Sequence, residues 1–113
     1  MKLLTQSLRE QLIKNHNAQL ESGELDHKPV VKFFGGGAAT WLITELDPES
    51  NLMFGLCDLG MGFPELGYVS LDELAAVKFP PFGLGVERDR GFKASKTLSE
   101  YASEASERGR IAA

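Results

Sequence analysis

The segment that most restricts the fold is Thr40–Asp58, in which two strand-forming runs flank a single break. Thr40-Trp41-Leu42-Ile43-Thr44-Glu45-Leu46 leads into Asp47-Pro48-Glu49-Ser50-Asn51, and Leu52-Met53-Phe54-Gly55-Leu56-Cys57-Asp58 follows. Aspartate and proline favour a turn, and the β-branched, aromatic and aliphatic residues on either side suit strands, so the pattern predicts an antiparallel hairpin. If the turn closes symmetrically, Leu46 pairs with Leu52, Thr44 with Phe54, Leu42 with Leu56 and Thr40 with Asp58 on one face, which reads as core. The opposite face then sets Trp41 beside Cys57, Ile43 beside Gly55 and Glu45 beside Met53. A large aromatic next to a missing side chain suggests a shallow groove on that second face.

The flanking sequence supplies helices. Thr5 can cap a helix over Gln6–Glu21, with Leu8, Leu12 and Leu20 at multiples of four and Ile13 on the flank. Pro29 opens a strand, Val30–Phe34, and Gly35-Gly36-Gly37 breaks it. The Gly60–Gly67 stretch predicts a structured loop pinned by Phe63 and Leu66, with a short extended piece at Tyr68-Val69. Ser70-Leu71-Asp72-Glu73 and Thr97-Leu98-Ser99-Glu100 are capping boxes that open two further helices, and Val86–Asp89 can add a last strand between them. The expected architecture is α+β: one domain over residues 1–113, a small antiparallel sheet with helices packed against it. Its last residues, Glu107–Ala113, have little to bury and are expected to fray.

Composition narrows the function classes. With 113 residues, 42% apolar and 25% charged, the chain has the balance of one folded domain. No apolar run approaches the ~18 residues of a membrane span, and Met1–Gln6 turns polar too soon for a secretory signal, so a cytoplasmic location is expected. The lone Cys57 cannot form an internal disulfide. A net charge of −4 argues against a grip on phosphate backbones.

Chemistry-bearing residues are sparse. Asp58 beside Cys57 disfavours the thiolate, so Cys57 reads as a strand residue. His16 falls on the apolar stripe of the first helix and His27 in a polar approach to a strand, and two isolated histidines give no zinc spacing. Among the acidic residues Glu45, Asp47, Asp58 and Glu65, the best pair for a hard cation is Asp58 with Glu65, should the loop fold back over the strand end. Neither glycine cluster is followed by the Lys-Ser/Thr of a phosphate loop, and no cofactor is implied. The interleaved charges of Glu87–Lys93 read as a solvated strand edge.

Several long segments carry a family likeness: Met1–Thr5, Trp41–Pro48, Phe54–Gly60, Gly62–Leu71 and Val86–Asp89. On these the chain resembles the bacterial family known as domain of unknown function 2958. The resemblance implies an accessory protein of plasmids, conjugative elements or phages, acting on host defence or DNA-transfer machinery by contact. It supplies no catalytic residues. The expected function is therefore a non-enzymatic, protein-binding module, with Trp41, Glu45, Phe63, Glu65 and Tyr68 as its contact residues. The alternatives are a small carboxylate-metal hydrolase or nuclease and a weak nucleic-acid-binding protein. A homodimer through an exposed hairpin edge is a further expectation, since no strand is obviously guarded.

Overall fold

The computed structural model describes residues 3–113. Its elements run α1 (Gln6–Ser22), β1 (Val31–Gly35), β2 (Ala39–Leu46), β3 (Leu52–Asp58), β4 (Glu65–Ser70), α2 (Leu71–Ala76), β5 (Glu87–Arg88) and α3 (Leu98–Arg108). The five strands form one antiparallel sheet in the order β4-β3-β2-β1-β5. The α+β arrangement and all three helix starts agree with the sequence reading. The Thr5 hydroxyl accepts the Leu8 amide at 3.2 Å, Ser70 accepts Glu73 at 3.2 Å, and Thr97 and Glu100 close a reciprocal capping box.

Helices cover both faces of the sheet. On one face Leu12 of α1 and Leu74 of α2 pack with Phe33, Trp41, Ile43 and Met53. On the other, Leu98, Tyr101 and Ala105 of α3 pack with Leu42 and Leu56. The central strand β2 is therefore buried on both sides, and the expected groove beside Trp41 does not exist: Trp41 is only 5% exposed and belongs to the α1-side core.

The hairpin pairs as expected through Thr40↔Asp58, Trp41↔Cys57, Leu42↔Leu56 and Ile43↔Gly55, then shifts. A bulge at Thr44 makes Glu45 pair with Phe54 and Leu46 with Met53, in place of the symmetric partners Phe54 for Thr44 and Leu52 for Leu46. The bulge returns Leu46 to the α1-side core after Ile43. It also frees the Thr44 carbonyl, which accepts the side-chain amide of buried Asn15 at 2.9 Å. This polar requirement explains why the inner face of α1 is not a plain leucine stripe. Leu12 and Asn15 are buried, whereas Leu20 is 72% exposed. Gly55, opposite the start of the bulge, cannot carry a side chain, because a Cβ would lie 2.0 Å from the Leu42 carbonyl oxygen.

The C-terminal segment is anchored where fraying was expected. Ile111 is buried, and the Lys32 ammonium donates to the Ala113 carbonyl at 2.6 Å. Among the described residues, no helix is long and apolar enough to cross a membrane.

Candidate interaction surface

The loop between β3 and β4 starts at a buried acid. Asp58, 2% exposed, accepts the Gly60 amide at 2.8 Å through one oxygen and the Ile111 amide at 2.9 Å through the other. A carboxylate shared between two backbone donors fixes the loop base to the segment after α3. Gly60 adopts φ +82° and sits so close to the β1–β2 turn that a Cβ would be 2.6 Å from the Ala38 methyl group. Asp58 and Gly60 therefore do the pinning that the sequence reading gave to Phe63 and Leu66, which are 81% and 49% exposed. Leu59 and Met61 point outward with them.

The chain then enters β4, an edge strand of the sheet. Leu66 pairs with Leu56 and Tyr68 with Phe54, so their side chains extend the row that α3 covers farther in. The Phe54 and Tyr68 rings meet at 5.1 Å, tilted by 60°. Beyond the reach of α3 the row lies open, and Tyr68 is 74% exposed. Exposed Leu52 and Leu20 border the same shelf, lining with Phe54 and Tyr68 a pocket of about 200 Å³.

Glu45 closes one end of that pocket. It is half-buried, and desolvation raises its carboxyl above the ordinary glutamate range, opposed by the charges of His27 and His16. His16 lies between two acids, with Nδ1 3.9 Å from Glu45 and Nε2 4.0 Å from Asp47. Asp47 accepts the Glu49 amide at 2.9 Å, which holds its carboxyl below the usual range and stabilises the turn. Burial pushes the Cys57 thiol up, away from nucleophile chemistry.

The metal pair is not brought together. Glu65 pairs with Cys57 and takes the sheet face on which Cys57 lies, whereas Asp58, the next residue along β3, turns to the opposite face with both oxygens engaged. Among the described residues no cluster of three His, Cys, Asp or Glu side chains can hold a metal ion.

Residues 3–112 match the family model described as "Protein of unknown function (DUF2958)", which spans nearly the whole chain. The chain belongs to this family. Neither the comparison with curated proteins nor that with solved structures gave a match. Of the contact residues read from this DUF2958 sequence, Phe63, Glu65 and Tyr68 share one exposed edge, Glu45 flanks it half-buried, and Trp41 lies inside. Sequence reasoning did not place Leu20 and Leu52 at this shelf, and it gave Leu66 a pinning role where the structure leaves it exposed. The signal for Leu66 was present, because alternation in Leu66-Gly67-Tyr68 marks two large residues on one face of a strand.

Proposed function

We propose that this DUF2958 chain is a non-enzymatic protein-binding accessory module of a bacterial mobile element, acting on host defence or DNA-transfer machinery. The observation that carries the reading is exposure: Leu59, Met61, Phe63, Leu66 and Tyr68 are 58%, 70%, 81%, 49% and 74% exposed within one short stretch of chain. Large apolar groups concentrated at a loop and sheet edge are costly to leave in water and mark a contact surface. Their fixed base supports the same reading, since a loop held by Asp58 and Gly60 presents its side chains at little ordering cost. The mobile-element setting comes from what the family resemblance implies, since the matching family model is described only as of unknown function.

The test is affinity capture of the tagged protein from a lysate of a host carrying the element, with mass spectrometry of what is retained. A Met61→Ser/Phe63→Ser double variant, shown folded by circular dichroism, is the control. A discrete partner retained by the wild type and lost by the double variant is expected. Equal retention by both would rule this surface out.

A further inference from the structure

We infer that β4 is the seam of a symmetric dimer, in which a second copy of this chain lays its own β4 antiparallel against it with Gly67 at the two-fold axis. This goes beyond the partner-binding reading and divides its surface, giving the strand to the second copy and leaving the loop for another protein.

The direction of the backbone groups comes first. Leu71 donates its amide to the Asn51 carbonyl at 2.9 Å, and the β3–β4 register continues from that pair without a shift. In an antiparallel ladder hydrogen-bonded pairs alternate, so Glu65, Gly67 and Val69 point their amides and carbonyls at β3. Leu66 and Tyr68 therefore point theirs outward, along an edge that no other strand covers among the described residues. A two-fold axis through Gly67 puts Leu66 opposite the second copy's Tyr68, and Tyr68 opposite its Leu66. Each opposed pair then exchanges both backbone hydrogen bonds.

The side chains agree with that register. Leu66 and Tyr68 of both copies come together on the α3-side face and continue the row Leu42–Leu56 across the seam. The one charge of β4, Glu65, lies opposite the second copy's Val69 and about 14 Å from its symmetry mate, so like charges do not oppose. Gly67 has nothing within 4 Å of where its Cβ would be. Pro64, without an amide hydrogen, meets the second copy's Ser70 and ends the ladder. The strand itself carries no lysine, arginine or proline that would guard it. The opposite edge, β5, is two residues long, Glu87 and Arg88, both charged. One sticky edge and one guarded edge give a closed pair rather than a growing fibre.

The test combines mass and register. Light scattering on the eluted wild-type protein should give twice 12.4 kDa, while Leu66→Lys and Tyr68→Lys, folded by circular dichroism, should elute as monomers. In a Cys57→Ser background, Gly67→Cys should crosslink between copies on mild oxidation, because residues opposed across the axis fall within disulfide reach. Glu65→Cys should not crosslink. The Met61→Ser/Phe63→Ser variant should remain dimeric, which separates failure of partner capture from failure of pairing. A wild-type monomer at every concentration, equal crosslinking at positions 65 and 67, or a monomeric loop variant would each overturn the inference.

Discussion

Replacing Asp58 with alanine tests whether one buried carboxylate joins the exposed loop to the C-terminal segment. Both oxygens accept backbone amides, Gly60 at 2.8 Å and Ile111 at 2.9 Å. A bond from a backbone amide to a charged acceptor contributes about 1.5–3 kcal/mol, and the buried Ile111 bond lies at the upper end of that range. Gly60 is exposed and water can replace its partner, so that bond contributes about 1 kcal/mol. Asp58→Ala should therefore cost about 3–4 kcal/mol in urea unfolding followed by circular dichroism. Asp58→Asn keeps one acceptor oxygen and should cost roughly half as much. Hydrogen exchange gives a local readout, since the Ile111 amide should lose protection in Asp58→Ala even under conditions where the sheet keeps its own. If Asp58→Ala unfolds within about 0.5 kcal/mol of the wild type, or leaves Ile111 protected, the carboxylate does not tie the two segments together.

Two further substitutions probe β2 and β3. Gly55→Ala places a methyl group against the Leu42 carbonyl oxygen, a backbone atom that cannot step aside, and should cost at least about 2 kcal/mol by the same unfolding assay. Glu45→Gln should alter the pH dependence. Burial raises the Glu45 carboxyl in the folded chain, so folding holds that proton more tightly, and stability falls as pH rises from the ordinary glutamate value of about 4.3 through the folded value. The variant should match the wild type near the acid end of that window and exceed it at neutral pH. A constant difference across the window would remove desolvation as the cause.

The helix starts and the first four hairpin pairs were legible because each rests on neighbours in sequence: a hydroxyl three residues before an amide, or alternation along a strand. Trp41 was misplaced because alternation tells which residues share a face and not how many faces are covered. Coverage came from α1 and α3, elements distant in the chain. Leu20 failed for a related reason. The period of α1 was read correctly, but the bulge carbonyl of Thr44 draws Asn15 inward and leaves Leu20 beside the open shelf. Asp58 was recognised as acidic and assigned to a cation, since nothing local shows that residue 111 returns to it. Phe63 and Tyr68 are exposed as expected, since large apolar groups set among glycines are a local pattern, and Glu65 is exposed with them.

The bulge at Thr44 also sets which changes of length the chain can absorb. Before it, the residues of β2 facing α1 are odd-numbered, Trp41 and Ile43; after it, the residue facing α1 is even-numbered, Leu46. Deleting Thr44 would restore an even rhythm and keep Leu46 opposite Met53, at the loss of the carbonyl that Asn15 binds, whereas inserting one residue there would bring Glu45 to the place of Leu46, deep in an apolar layer. The exposed turn at 48–50 carries no such phase, whereas the turn at 36–38 is packed against Phe79 and Gly60. Gains and losses of single residues among relatives should therefore collect at 48–50 and spare the span from 39 to 46.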